Sequence, residues 1–148
     1  MGTTSETHKG TVTLVDTCLL IRALEKNDGA ANAAISDAQR QGRAVVNVVV
    51  LAEICAGSDA PEEVSAAVRS LGVQVVEIPE AAAAVCGRAF SSYLERRGQP
   101  TASRPSKTPL PDFFIGAHAQ VMGWQIATSD EGRFKTYFPE VNLVSVTG

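Results

Sequence analysis

Short, mostly apolar runs recur along this chain, each separated from the next by residues with helical spacing. The runs are "GTVTLV", "RAVV", "VQVVEI", "WQIAT" and "NLVSV". A strand with one wet face alternates apolar and polar side chains. A run that stays apolar fits a strand covered on both faces, as parallel sheets are. Between the runs, "CLLIRALEKN" places Leu19, Leu20, Ala23 and Leu24 on one face of a helix. Asp28 can cap "GAANAAISDAQRQ", which Gly42 ends, and Asn47 can cap "VVVLAEICAG", read as a buried helix carrying Glu53. "PEEVSAAVRSLG" has Pro near its start, acids in its first turn and Gly at its stop, and "PEAAAAVCGRAFSSYLERRG" follows the third run. Strands alternating with helices in this way predict an α/β domain with a mostly parallel central sheet of about five strands and helices on both faces.

The 148 residues suit one domain, with residues 1–10 as a flexible tail and residues 11–148 as the folded unit. Hydrophobic residues at 45% are too many for a disordered chain, and no apolar run approaches the roughly 20 residues of a membrane span. "MGTTSETHKG" lacks the apolar stretch of a secretory signal, so a cytoplasmic protein is expected. Cys18, Cys55 and Cys86 are widely spaced and lack the Cys or His companions of a zinc site. They read as small buried hydrophobes in a reducing compartment.

The segment "GQPTASRPSKTPLP" interrupts the regular pattern, because its four prolines forbid a helix or a central strand. It reads as a binding or lid loop, or as a simply mobile one. The net charge of −3 argues against a nucleic-acid partner, but charge is unevenly spread. Between residues 88 and 107, Arg88, Arg96, Arg97, Arg104 and Lys107 face Glu95 alone, a local excess of 5 − 1 = +4. That basic stretch leads directly to Asp112.

Four acids stand near predicted strand ends. Asp16 follows the first strand, and Glu53 lies two turns into the helix after the second. Asp112 opens the helix that feeds the fourth strand, and Asp130 lies just beyond that strand. In a parallel sheet the carboxyl ends share one edge, where ligands bind. Two readings stand side by side. Asp16 can be an N-cap, with Asp112 and Asp130 as first-turn acids favoured by helix dipoles. Alternatively, the acids converge on a site. Glu53 favours the second, since its neighbours are almost all apolar and no Lys or Arg lies within a helical turn. A carboxylate there should face a polar crevice or a metal. Converging carboxylates must protonate or bind a cation, and hard oxygen donors without His or Cys select Mg²⁺ or Mn²⁺. Such a cation beside a basic loop suits phosphodiester hydrolysis. No Ser–His–Asp or Cys–His nucleophile is apparent. His118 stands six residues after Asp112, about 240° around a helix, and reads as structural. Phe113, Phe114 and Trp124 read as core.

"VDT", "LAE", "LPDFFIGAHA" and "ATSDEGRFKTYFPEVNLVSV" resemble, in this order and spacing, PIN-domain ribonucleases, most closely the VapC-type toxins of bacterial toxin–antitoxin pairs. The resemblance spans residues 12–146. It implies a PIN fold, an Mg²⁺- or Mn²⁺-dependent endoribonuclease activity, an antitoxin partner and a homodimer. It also implies that Asp16, Glu53, Asp112 and Asp130 form the catalytic acidic quartet. Asp16 and Asp112 would hold the metal most directly, and Glu53 and Asp130 would complete its shell or orient water. Thr128 matches a hydroxyl position near the site. Arg133 would contact phosphate, and Arg96, Arg97, Arg104 and Lys107 would attract the RNA backbone. Cys18 stands where many members carry Asn or Ser. The alternative is a non-catalytic PIN-like module acting through a partner in an operon-repressing complex. A receiver-type phosphoacceptor would need an acidic pair before Asp16, and "TLV" stands there.

Overall fold

Thr11–Val15 forms β1, whose last four residues are all buried, so side chains on both faces of this strand are covered. The computed structural model describes residues 10–98 and 109–147. After β1 come α1 (Thr17–Lys26), α2 (Gly29–Gln41), β2 (Gly42–Asn47), α3 (Val48–Ala56), α4 (Pro61–Ser70) and β3 (Gln74–Val76). The second half contains α5 (Ala82–Arg96), α6 (Pro111–Met122), β4 (Gln125–Thr128), α7 (Gly132–Tyr137) and β5 (Leu143–Ser145). The strands form one sheet in the order β3-β2-β1-β4-β5, and every pairing is parallel. The chain winds outward from β1 through β2 to β3, then crosses back to place β4 and β5 on the other side. The β1–β4 boundary is therefore where the winding reverses, the place at which a doubly wound sheet opens a crevice at its carboxyl edge.

Local chemistry sets most of the joints. Asp28 accepts the Ala31 N–H at 3.0 Å and Asn47 accepts the Val50 N–H at 3.0 Å, both as expected N-caps. Pro111 opens α6, and Gly123, at φ 71°, ends it in the left-handed region. The core joins Leu14, Val15, Val45, Val46 and Ile126 of the sheet to Leu19 and Leu20 of α1 and to Phe113 and Ile115 of α6. Gly116 of α6 lies directly beneath Phe138, and a Cβ there would overlap the phenyl ring. This close approach seats α6, and with it Asp112, against the segment that follows α7.

Several expectations shift. The third apolar run, residues 73–78, contributes only Gln74–Val76 to the sheet, and α5 begins at Ala82 rather than at Pro79. The helix carrying Glu53 is not buried all round. Only Val50 and Ile54 are buried, while Val48 is 48% exposed and Glu53 is also exposed. A short helix lies on the sheet by one stripe, and successive residues turn away from it by about 100°. Apolar neighbours in sequence therefore did not make Glu53 a buried acid.

Cys86 is buried and burial pushes its thiol up to about 11, while Cys18 and Cys55 are half-buried; all three are free. Among the described residues no helix is long and apolar enough to cross a membrane. Most of the proposed tail, residues 1–9, lies outside the described residues, as do residues 99–108 of the proline-rich segment with Arg104 and Lys107.

Candidate active site

Asp16 stands where β1 ends. Its backbone N–H still reaches the Ala127 carbonyl of β4 at 3.0 Å, so the residue lies on the boundary where the winding reverses. It occupies the N-cap position of α1, with Oδ1 accepting the Thr17 N–H at 2.8 Å. Oδ2 is turned across the strand ends, where it accepts the Thr128 hydroxyl at 2.7 Å and meets the Cys18 Sγ at 3.5 Å. The carboxylate is thus a cap on one side and part of a cluster on the other. Burial pushes its pKa up and the charge of Asp112 adds to the rise, while the bonds from Thr128, Cys18 and Thr17 oppose it.

The other acids gather around that point. Asp112 lies in the first turn of α6 and is half-buried. Burial raises its pKa, Arg133 lowers it and the charge of Asp130 raises it. Asp130 is exposed, and its backbone N–H donates to the Thr128 Oγ1 at 2.9 Å. Glu53 reaches the cluster from α3, where its Oε1 accepts the Thr17 hydroxyl at 3.0 Å. Two threonines therefore connect the group: Thr17 links Asp16 to Glu53, and Thr128 links Asp16 to the Asp130 backbone. Asp112 feels both Asp16 and Asp130 electrostatically. All four acids stand at the carboxyl edge, deepest at Asp16 and most open at Glu53 and Asp130.

The basic residues divide. Arg133 Nη1 donates to Asp112 Oδ2 at 3.1 Å, and its guanidinium lies 5.0 Å from the Tyr93 ring centroid and 5.6 Å from that of Phe113. Its partner here is a carboxylate. Arg96 extends over the Tyr137 ring at 5.7 Å. Arg96 and Arg133 line a cleft of about 500 Å³ together with Asp112, Asp130 and Tyr137. Arg97 is outside that lining and donates to the Tyr93 hydroxyl at 2.8 Å. His118 is buried, 3.4 Å from the Asn47 amide and against Trp124, in the structural role expected of it.

Sequence reasoning missed Thr17, although "VDT" carried the signal of a hydroxyl beside an acid. It also missed Tyr93 and Tyr137, whose rings reach the cleft from helices far apart in the chain; nothing local marks them. Among the described residues no three His, Cys, Asp or Glu side chains are set to ligate one ion together.

An all-parallel α/β domain with carboxylates gathered at its reversal point sets polar groups where such sheets bind ligands. The chain belongs to the PIN domain family, whose sequence model matches residues 13–138. A comparison with curated proteins finds no match by sequence. Among solved structures, VapBC2 from Rickettsia felis bound to a DNA fragment from their promoter is similar at TM-score 0.69 and 15% identity, over 92% of this chain and 99% of that one. DNA-bound VapBC from Salmonella typhimurium is similar at TM-score 0.66 and 21% identity, over 91% and 98%. VapBC-1 from nontypeable Haemophilus influenzae is similar at TM-score 0.67 and 18% identity, over 91% and 98%. At these identities the likeness is one of fold.

Proposed function

We propose that this protein is an Mg²⁺- or Mn²⁺-dependent endoribonuclease and the toxin of a toxin–antitoxin pair. The observation that carries the reading is the gathering of Asp16, Asp112 and Asp130 at the β1–β4 boundary, with Glu53 joined through Thr17. Holding like charges together at a sheet edge lowers stability unless a cation neutralises them. The donors present are hard carboxylate oxygens. Mg²⁺ keeps several waters and takes one or two carboxylates, so a three-residue cage is not required and the residues fit the ion. Asp16 and Asp112 would hold it, and a bound cation there would generate hydroxide from water and stabilise charge developing on a phosphate.

The chain's own residues supply the rest. Thr128 holds Asp16 and the Asp130 backbone in register. Glu53 and Asp130, the most open acids, would complete the cation's shell through waters or orient the attacking water. Arg133 balances charge at Asp112 and is within reach of a phosphate in the cleft, with Arg96 drawing the RNA backbone toward it. A solved toxin–antitoxin complex from Klebsiella pneumoniae is also similar in fold, at TM-score 0.59 and 20% identity, which supports a cognate antitoxin as partner. A homodimer acting in the cytoplasm completes the reading. The test is cleavage of RNA by the purified protein with Mg²⁺, with Mn²⁺ and with excess EDTA. Cleavage should need either cation and cease in chelator. Undiminished activity in EDTA refutes the mechanism, and no cleavage under any condition favours a non-catalytic module.

A further inference from the structure

A second cleft, of about 630 Å³, adjoins the acidic one. Arg88, Ser92 and Arg96 of α5 line it together with Gln120, Thr136 and Tyr137, and Glu95 is the one acid in its wall among the described residues. Arg96, Thr136 and Tyr137 line both clefts, so they form one groove running from Asp112 and Asp130 along α5 to Arg88. Arg88, Ser92 and Arg96 recur every fourth residue and stack on one face of the helix. At 1.5 Å per residue, Arg88 and Arg96 are about 12 Å apart along the axis. A stacked strand rising about 3.4 Å per nucleotide places roughly three nucleotides over that distance. Both arginines are exposed, and neither takes part in an ion pair among the described residues. The groove thus offers two cations, hydroxyls and an amide, which match a phosphate backbone better than base edges or an apolar helix.

We propose that this groove holds the RNA strand on one side of the cut, with Arg88 gripping a backbone phosphate about three nucleotides from the one bound near Arg96. The proposal rests on the ribonuclease reading and adds the direction in which the substrate leaves the acidic centre. A second copy of the chain is the competing occupant. A two-fold contact along the α5 stretch would set the same arginines near one another, with Glu95 as the only acid described in that stretch of wall to offset them.

The experiment measures binding of labelled oligouridylates of four and twelve nucleotides to the full chain in EDTA, by fluorescence anisotropy over a range of salt. Wild type is compared with Arg88→Gln, Arg88→Lys and a control on α4, Arg69→Gln. Losing one phosphate contact should lower the salt exponent by about 0.7, which at 0.1 M salt is about five-fold in affinity. That loss should appear in Arg88→Gln with the twelve-mer, shrink below two-fold with the four-mer, and be restored by Arg88→Lys. Arg69→Gln should follow wild type. With Mg²⁺, cleavage of long RNA by Arg88→Gln should lose more through KM than through kcat. Equal losses at both lengths, or no loss, overturn the groove. So does a dimer that becomes a monomer on Arg88→Gln, measured by light scattering, since the groove is then a contact between copies. If wild type cuts RNA while Arg88→Gln binds as well as wild type, only the groove falls. If wild type neither binds nor cuts RNA, the ribonuclease reading falls and takes the groove with it.

Discussion

Two glycines inside helices, Gly87 of α5 and Gly116 of α6, should respond in opposite ways to replacement by alanine. In a helix interior the exchange ordinarily stabilises by about 0.8–1.0 kcal/mol, because glycine loses more backbone entropy on folding. At Gly87 nothing lies within 4 Å of an added Cβ, so Gly87→Ala should gain about that amount. At Gly116 the same Cβ meets three carbons of the Phe138 ring at overlapping distance. Phe138 is 1% exposed and packs against Phe113 with ring centroids 6.1 Å apart, so it has nowhere to turn. Overpacking a filled core costs about 1–3 kcal/mol, and backbone-deep overlap with a rigid ring belongs at the upper end. Offset by about 1 kcal/mol of helix propensity, Gly116→Ala should be destabilised by about 2 kcal/mol. For a chain of this size that lowers Tm by about 4–8 °C. Urea unfolding should show a lower midpoint with an unchanged slope. Adding Phe138→Leu should recover more than about 1 kcal/mol relative to the sum of the single changes, because the two sites share one space. A stabilised Gly116→Ala, or strict additivity with Phe138→Leu, would refute the argument and the proposed seating of α6.

Further outcomes concern the acids. Asp112→Asn gives up a one-third-exposed ion pair with Arg133, worth about 0–1 kcal/mol, and relieves repulsion from Asp16 and Asp130. The metal-free variant should therefore unfold near the wild-type temperature, lose most of the Mg²⁺-induced shift, and fall in activity by orders of magnitude. Equal Mg²⁺ shifts in both proteins with activity kept would make Asp112 a helix-end acid and nothing more. Thr128→Val removes a donor to Asp16 and an acceptor for the Asp130 N–H, both at a buried position. It should cost about 1–3 kcal/mol in urea unfolding, with Thr128→Ser close to wild type; a neutral valine would contradict the linking role. The folded pKa of Asp16 is raised from 3.8, chiefly by burial. A raised acid contributes stability that is fully present below 3.8 and is lost as pH climbs through the folded value. Without metal, Asp16→Asn should thus gain on wild type as pH rises above 3.8, and lose that advantage on acidification. A difference that grows toward acid pH would reverse the sign of the reasoning.

The strand–helix alternation, the caps at Asp28 and Asn47, and the stop at Gly123 were legible in the sequence. Each depends on periodicity or on hydrogen bonds spanning a few residues. The placing of Asp16, Asp112 and Asp130 near strand ends was legible for the same reason, since parallel strands bring their carboxyl ends to one edge whatever the details of packing. The helix carrying Glu53 was read as buried and is so only along one stripe, because apolar neighbours in sequence say nothing about which stripe of a helix meets the sheet. Arg133 carried no local sign that a carboxylate would be its partner, and Tyr93 and Tyr137 none that they would reach the cleft. The Thr128 bond to Asp16, the overlap waiting at Gly116 and the groove along α5 join segments distant in the chain. They exist because the crossover to β4 sets α6 and α7 against β1 and α5, and only three-dimensional packing determines which side chains meet there.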